Sequence, residues 1–340
     1  MSSLTPNKLI NALKRLGKLL TTPSQDLTAI IEVAQHHNAW FTPEEVKKSL
    51  LSFGEMLNHE DLTHWFSKIT MTNSPKRIGL ILAGNIPLVG FHDVICVLAT
   101  GNIAMIKMSS SDDKLLPAVI KQLITIEPSI TDYIEYVERL KEFDAIIATG
   151  SNNSSRYFDY YFGKVPNIIR KNRNSIAVLG GDETAIEIEN LGHDIFDYFG
   201  LGCRNVSKIY VPKGYEMKNF FEPLEKYRPI INHFKYNNNY DYNKSIYLVN
   251  AVNHLDNGFL LVKEDALFTS PLAVLFYEEY QLIAEVEELI EKESENIQCI
   301  VSKLDLKLKK GKISFGQSQH PKLWDYADDV NTIAFLMSIE

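Results

Sequence analysis

The chain has 340 residues, 45% of them hydrophobic, so it can bury a large core and is long enough for two lobes. Its net charge of −8, with acidic and basic residues interspersed, offers no basic face and argues against a nucleic-acid partner. No apolar run is long enough to span a bilayer and no leader pattern follows Met1, so we expect a cytoplasmic protein without membrane insertion.

Three cysteines, Cys96, Cys203 and Cys299, are widely spaced along the chain. An odd number of separated cysteines argues against a disulfide framework and for a reducing compartment. The nine histidines form no pattern of metal ligands, so we predict that the protein holds no metal.

Residues 1–70 are predicted to form a helical N-terminal region. Apolar residues recur at helical spacing in "LINALKRLGKLL", "DLTAIIEVAQHHN" and "TPEEVKKSLLSFGEML". Thr42 and Pro43 are a cap and first-turn pair, which predicts that a helix begins there.

From residue 71 to 181 short β-rich runs alternate with helical ones, which is the pattern of parallel βαβ units. We predict a doubly wound nucleotide-binding domain over this range, with the pair Gly180 and Gly181 as its boundary. Residues 182–312 are predicted to be a second α/β domain that carries Cys203, followed by a C-terminal segment, 313–340. In the second domain "SIYLVNAV" and "GFLLVKED" are predicted to be paired strands.

Cys203 lies at a predicted junction between a helical run, residues 195–199, and a strand that begins near Val206. Gly200 and Gly202 let the backbone approach a ligand closely, which would leave the Cys203 amide N–H to point at an oxyanion. The alternative is a buried structural cysteine, because a free cysteine packs as a small hydrophobic residue.

Asn85 follows the first predicted strand, in "GLILAGNIPL". A carboxamide at the carboxyl end of a parallel strand points into the ligand crevice, so Asn85 can donate to a developing oxyanion. The alternative is an asparagine that serves the turn.

Two later strand ends favour a nucleotide. The second strand ends at Lys107, which suits contact with a ribose or phosphate, and Ser110 is one of the hydroxyls that follow it. Gly150 ends another strand and Ser151 begins a helix, whose N–H groups would face a phosphate. A solvated lysine is the alternative for Lys107, and the absence of GxGxxG argues against a standard Rossmann phosphate turn.

Taken in order, the motifs "AGNIPL", "LATGNIAMIKMSSSD", "ATGS", "VLGG", "GLGCRNVSKIYVP" and "LFTSPLAVLFY" resemble the aldehyde dehydrogenase superfamily. Within it, "GCRNVSKIYVPKGY" and the ending "FGQSQHPKLWDYADDVNTIAFL" are similar to the acyl-CoA reductase family typified by the fatty-acid reductase of bacterial bioluminescence. The resemblance spans roughly Arg77 to the C-terminus. It implies an α/β, aldehyde dehydrogenase-like fold of two doubly wound parallel-sheet domains with the active site between them.

That family implies NADPH-dependent reduction of a fatty acyl-CoA thioester to the aldehyde through an acyl-cysteine. By motif position, Cys203 would be the nucleophile, Asn85 the oxyanion donor, Lys107 the adenosine-ribose contact and Ser151 the pyrophosphate contact. Glu264 would touch the nicotinamide ribose. A homo-oligomer or an acyl-supplying partner protein stays open.

The chain departs from the superfamily at two informative positions. Val178 in "VLGG" stands where oxidising members have a glutamate that activates water, which favours reduction over hydrolysis of an acyl-cysteine. Ser110 replaces a glutamate that often excludes a 2′-phosphate, so NADPH is allowed. Arg204 is a candidate for lowering the pKa of the Cys203 thiol, and His320 a candidate proton donor.

Other functions share this sequence pattern. An oxidising aldehyde dehydrogenase or an acyl-phosphate reductase would have the same fold, and Val178 disfavours the first. A degenerate, non-catalytic subunit that binds a partner enzyme would form no acyl adduct.

Overall fold

A computed structural model describes residues 4–339 of the protein, with only the backbone described at Asn152. The first three residues of the predicted helical region therefore lie outside the described residues. By internal contacts the chain divides into two compact units. The first unit holds the described residues up to Asn172 and those from His320 onward, and the second runs from Arg173 to Gln319.

Four helices open the first unit: α1 (Pro6–Thr21), α2 (Gln25–His37), α3 (Pro43–Met56) and α4 (His59–Phe66). Each follows a residue whose side chain accepts a hydrogen bond from a backbone N–H of the first turn, and these are Thr5, Ser24, Thr42 and Asn58. The start predicted at Thr42 and Pro43 is confirmed.

Five parallel strands form the sheet of the first unit: β1 (Arg77–Ile81), β2 (Ile103–Lys107), β3 (Ile134–Tyr136), β4 (Ala145–Thr149) and β5 (Asn167–Arg170). Helices α5 (Phe91–Ala99), α6 (Leu115–Ile126) and α7 (Asn152–Phe162) alternate with them, and a 3₁₀ helix covers Pro128–Tyr133. The strand order is β3-β2-β1-β4-β5. The apolar faces of α1–α4 share one core with this sheet, so the helical region and the sheet pack as one unit.

Six strands form the sheet of the second unit: β6 (Asn174–Val178), β7 (Val206–Pro212), β8 (Leu255–Asp256), β9 (Leu261–Glu264), β10 (Val274–Tyr280) and β11 (Ile297–Val301). Their order is β11-β6-β7-β10-β9-β8, and β8 pairs antiparallel with β9 while the other pairings are parallel. The helices of this unit are α8 (Ala185–Phe196), α9 (Met217–Phe221), α10 (Phe234–Val249) and α11 (Ile283–Lys292), with 3₁₀ segments at Glu222–Asn232 and Ser294–Asn296. A turn with left-handed residues, Asp197–Gly200, follows α8. The chain then returns to the first unit, where a 3₁₀ turn (Ala327–Asp329) and α12 (Thr332–Met337) end it.

The strand predicted at "SIYLVNAV" is wrong, because most of this run belongs to α10. Tyr236, Tyr240, Asn243 and Tyr247 are buried at helical spacing along that helix. The segment that pairs with β9 is instead the two-residue strand β8.

The two sheets divide between β5 and β6, at Asn172 and Arg173, ahead of the glycine pair Gly180–Gly181. Both doubly wound parallel sheets that the sequence predicts are present. Among the described helices, none combines the length and the apolar character that crossing a bilayer requires.

Candidate active site

The carboxyl edge of the first sheet gathers most of the predicted nucleotide contacts. Asn85 follows β1, Lys107 is the last residue of β2, and Gly150 and Ser151 link β4 to α7. The strand order reverses between β1 and β4, which is where ligands bind in doubly wound sheets. Asn85, Lys107 and Ser110 are exposed, so their polar groups are accessible at this edge.

The Asn85 loop, residues 84–88, is held by side chains from outside it. Asn38 donates its amide to the Gly84 carbonyl at 3.5 Å, and the Ser49 hydroxyl donates to the Pro87 carbonyl at 2.8 Å. Leu88 has a left-handed φ of +60°, a backbone conformation that costs a leucine on the order of 1–3 kcal/mol. The conformation of this loop is therefore set by the surrounding contacts and not by the backbone preference of its own residues.

The turn from β4 into α7 fits the phosphates of a dinucleotide. A Cβ at Gly150 would lie 2.9 Å from both Ser154 and Phe158, so the turn is too tight for a side chain. The Ser151 hydroxyl caps α7 by accepting from the Ser154 N–H at 3.2 Å, and the first turn of the helix carries no acidic residue. A helix N-terminus without an acidic side chain suits an anion, so this turn is compatible with a phosphate group.

In the second unit, Cys203 is exposed in a turn between α8 and β7, whereas Cys96 and Cys299 are buried. The Ser175 hydroxyl donates to the Cys203 carbonyl at 2.9 Å and accepts from the Cys299 N–H at 3.1 Å. Asn205 accepts from the Gly202 N–H at 2.8 Å. The turn is thus fastened on both sides of an accessible thiol.

Asn205 also connects this turn to the end of α8. Its amide donates to the carbonyl of Asp197 at 2.9 Å and to those of Asp194 and Ile195 at 3.2 and 3.4 Å. These carbonyls lie where a helix leaves its last acceptors without partners, and Asn205 is only 4% exposed. A single buried amide therefore ties the helix end to the cysteine turn.

The segment before the turn is not helical as far as Phe199, contrary to the prediction from its apolar spacing. Helix α8 ends at Phe196, and Tyr198, Phe199 and Gly200 all have left-handed φ values of +55°, +58° and +78°. Glycine adopts this conformation freely, but each of the two aromatic residues costs about 1–3 kcal/mol there. Burial of both rings holds them in place.

Arg204, the residue after the candidate nucleophile, contacts two neighbouring segments of the second unit. Its guanidinium donates to the Cys299 sulfur at 3.3 Å and to the Ser318 carbonyl at 3.5 Å. These contacts join the cysteine turn to β11 and to the segment around Ser318. These two contacts give Arg204 a positioning role, and its predicted effect on the Cys203 thiol stays a prediction.

Asp194 holds the same segment from the α8 side. Its carboxylate accepts from the Gly316 N–H at 2.6 Å and from the Ser318 N–H at 2.8 Å. Its burial raises the pKa of this carboxyl to about 6, although the two backbone N–H groups act in the opposite direction. Sequence patterns gave no sign of this residue, because its partners come from a distant part of the chain.

The interpretation of Val178 as the vacant position of a water-activating base is wrong. Val178 is fully buried at the carboxyl end of β6, opposite Tyr210 of β7, and its carbonyl accepts from Ser302. Cys203 precedes the other end of β7. The side chain of Val178 therefore belongs to the core, as for an ordinary buried strand residue, and carries no argument about hydrolysis of an acyl-cysteine.

Glu264 is the exposed last residue of β9 and pairs with Tyr277 of β10. Tyr277 in turn pairs with Ile209 in the middle of β7. The loop that follows is held by β7, since the Ser207 hydroxyl donates to the Phe268 carbonyl at 2.7 Å. Within this unit the strand register does not bring Glu264 to the Cys203 turn.

The fully buried Lys208 of β7 also holds the loop that follows Glu264. Its ammonium group donates to the Ala266 carbonyl at 2.9 Å and pairs with Glu278. At the far end of the loop, Asn174 donates to the Thr269 hydroxyl at 2.6 Å, beside the start of β6. The loop after Glu264 thus returns to the sheet edge from which Ser175 reaches Cys203.

His320, the candidate proton donor, lies in the first unit and pairs with Glu55 of α3 at 3.0 Å. The described residues contain no group of three or more histidine, cysteine or acidic side chains that could hold a metal ion.

A model of the LuxC acyl-CoA reductase family matches residues 11–231, a range that includes the Asn85 loop, the β4–α7 turn and the Cys203 turn. The chain belongs to the acyl-CoA reductase (LuxC) family. Membership of this family makes the chain an oxidoreductase of aldehyde-related chemistry. The family assignment does not depend on Val178. Among curated proteins, none matches the chain.

Solved structures similar to this chain include aldehyde dehydrogenases. Aldehyde dehydrogenase 21 from Physcomitrella patens, solved with succinate, has 12% identity and a TM-score of 0.65 over 98% of this chain and 85% of its own. A Mycobacterium tuberculosis aldehyde dehydrogenase solved with NAD⁺ has 12% identity and a TM-score of 0.65 over 92% and 77%. An NADP-dependent enzyme of E. coli has 13% identity and a TM-score of 0.63 over 88% and 73%. The chain therefore has an aldehyde dehydrogenase-like fold.

Proposed function

We propose that this acyl-CoA reductase converts a fatty acyl-CoA to the aldehyde with NADPH, through an acyl group carried on Cys203. The observation that carries the proposal is the Cys203 turn. Its thiol is exposed while the backbone around it is fixed by Ser175 and Asn205. A nucleophile needs both accessibility and a fixed direction of attack, and the two buried cysteines lack the first.

In the acylation step, the Cys203 sulfur forms a bond to the thioester carbonyl carbon. The bond from that carbon to the CoA sulfur breaks, and the departing thiolate takes the proton that Cys203 loses. Negative charge develops on the carbonyl oxygen meanwhile, and we assign Asn85 the donation of a hydrogen bond to it. The exposure of Asn85 on a fastened loop supports this assignment.

Lys107, Ser110, Gly150 and Ser151 are the residues that would hold the dinucleotide, and Glu264 remains a proposed contact to its nicotinamide ribose. When bound, the reduced nicotinamide would supply the hydride that turns the acyl-cysteine into aldehyde and the Cys203 thiolate, which regains its proton from solvent. Ser110 is exposed and uncharged, so its side chain would not repel a 2′-phosphate, and this favours NADPH over NADH.

Water is the competitor for the acyl-cysteine. Two side chains that contact the cysteine turn, Ser175 and Asn205, are neutral groups already engaged with backbone atoms. Neither can act as a general base, a function worth about 10²–10⁴-fold in rate. This supports slow hydrolysis and, with the family membership, reduction as the direction.

The test is intact-protein mass spectrometry after incubation with a panel of acyl-CoAs and, in parallel, acyl phosphates, without cofactor. We expect one acyl group per chain from acyl-CoA, its loss in Cys203→Ala, and its retention in the control Cys96→Ala. An adduct that persists in Cys203→Ala would contradict the proposal. Labelling by acyl phosphate alone would point to an acyl-phosphate reductase instead.

A further inference from the structure

Asp112 joins two parts of the proposed site in the first unit. Its carboxylate accepts from the Leu88 N–H of the Asn85 loop at 3.0 Å and from the Leu116 N–H in the first turn of α6 at 3.1 Å. Its own N–H donates to the Ser109 carbonyl at 3.1 Å, which closes the serine turn after Lys107. One side chain thus fixes the loop after β1 against the segment after β2.

The two segments are in close contact where Asp112 joins them. A Cβ at Gly84 would lie 2.5 Å from the Ser109 hydroxyl and 3.0 Å from the Ser111 Cβ. Asn38 makes a second bridge, because its amide donates to the Gly84 carbonyl at 3.5 Å and to the Ser111 carbonyl at 3.2 Å. The position of Asn85 is therefore set from the serine segment.

The bond from Leu88 to Asp112 also accounts for the conformation of the loop. Leu88 has a left-handed φ of +60°, which a leucine does not adopt unless its surroundings require it. Its N–H points at a carboxylate that is only 3% exposed.

Keeping a carboxylate in this environment is unfavourable by itself. Burial raises the pKa of Asp112 to about 6, the neighbouring charge of Asp113 acts in the same direction, and the backbone N–H groups oppose both. At neutral pH the group is nevertheless ionised, and an anion accepts both N–H bonds at once.

From this geometry we infer that Asp112 is a positioning residue for the acylation step: it sets Asn85 by holding the Leu88 N–H in the frame of the serine segment. The inference rests on the proposed role of Asn85. It concerns a residue that contacts neither the acyl group nor the thiol.

The test compares acylation of Cys203 by acyl-CoA, without cofactor, in the whole protein and in Asp112→Asn, Asn85→Ala and the double variant. An asparagine can accept only one of the two N–H bonds and presents an N–H₂ group to the other, so the loop should shift. Because loss of an oxyanion donor costs about 10²–10³-fold and a misplacement of about 1 Å can cost about 10²-fold, we expect each single variant to slow acylation at least about tenfold.

Two readouts separate positioning from general destabilisation. In Asp112→Asn all molecules should still become acylated, only more slowly, and the double variant should be no slower than Asn85→Ala, because both changes act on one interaction. Asp144→Asn is the matched control, since Asp144 accepts from the Arg77 N–H at 2.7 Å at the opposite edge of the same sheet. It should leave the acylation rate unchanged.

If the Asp112→Asn variant does not fold, Asp112→Glu replaces it in the comparison. Asp112→Glu keeps the charge but displaces it by one methylene, and it should also slow acylation. Slow acylation in Asn85→Ala with an unchanged rate in both Asp112 variants would overturn the inference and leave the proposed function intact. Multiplied effects in the double variant would overturn it as well. An unchanged rate in Asn85→Ala would instead refute the role of Asn85, and the inference with it.

Discussion

Removal of the Asn205 side chain should separate the reactivity of Cys203 from the general stability of the second unit. In Asn205→Ala the Gly202 N–H loses its acceptor at 2.8 Å, and three carbonyls at the end of α8 lose a donor at 2.9, 3.2 and 3.4 Å. The two shortest bonds are worth about 1 kcal/mol each, and the partly buried Gly202 N–H left without an acceptor adds a penalty of up to about 1 kcal/mol. We therefore expect the free energy of unfolding to fall by about 3 kcal/mol.

The same change should release the turn that fixes the thiol. We expect acylation of Cys203 by acyl-CoA to slow by about tenfold or more, since about 1.4 kcal/mol of lost preorganisation already corresponds to a factor of ten. The measurements are denaturant unfolding and the rate of adduct formation by mass spectrometry, both on the same preparations.

Asn243→Ala is the matched control. Asn243 is a buried asparagine of the same unit whose amide donates to the Leu272 carbonyl at 2.9 Å, on α10 rather than at the cysteine turn. It should cost about 1 kcal/mol of stability and leave acylation unchanged. Equal slowing in both variants would refute the argument that Asn205 acts on the turn, and so would normal acylation in Asn205→Ala.

Three further predictions follow from single residues. Ser110→Glu should reverse a preference for NADPH over NADH, because its carboxylate would repel the 2′-phosphate, and equal affinities of the unmodified protein in fluorescence titrations would contradict this. Val178→Glu should lower the melting temperature without speeding hydrolysis of the adduct, since it places a carboxyl in a fully buried position, and faster release of free acid would restore the rejected interpretation. The pKa of Asp194 is raised from 3.8 to about 6 in the folded protein, so the native state binds this proton more tightly than the unfolded state does. The stability that this proton contributes is present below about pH 4. It is lost, by about 3 kcal/mol, as the pH rises to about 6. Asp194→Asn should flatten the decline of unfolding free energy over that range in denaturation series, and an unchanged slope would contradict the raised pKa.

The sequence was a sufficient guide to the first sheet because its strands are short, continuous apolar runs that end in glycine or polar residues. Ala145–Thr149, for example, is followed by Gly150 and the capping Ser151, and both the strand and the helix start were predictable from local signals. The run "SIYLVNAV" was not, because a short apolar run fits a buried helix as well as a strand. Three tyrosines of α10 decide the matter: Tyr236 donates to the Phe259 carbonyl, Tyr240 donates to Asp256 of β8, and Tyr247 lies against Lys263 of β9. The local pattern does not distinguish these tyrosines.

For the site, the glycines around Cys203 predicted a tight turn, and the structure has one. The side chains that fasten it were not predictable, since Ser175, Asp194 and Asn205 act on backbone atoms that only the tertiary fold brings to them. Of these, only Asn205 had a local signal, as an asparagine two residues after the cysteine and just before an apolar strand, but its partners were not predictable from that position. The interpretation of Val178 failed because it relied on a local motif alone. A match of letters in "VLGG" does not fix the strand register, and pairing with Tyr210 places Val178 in the core.

The most direct test of the central claim follows the fate of the acyl group on Cys203. The unmodified protein is acylated with a fatty acyl-CoA, freed of excess substrate and divided between buffer and NADPH, with adduct, aldehyde and free acid measured over time. The account predicts a long-lived adduct in buffer and its discharge as aldehyde, with stoichiometric oxidation of NADPH, once the cofactor is added. Rapid release of free fatty acid without NADPH, or an adduct that NADPH leaves unchanged, would contradict it.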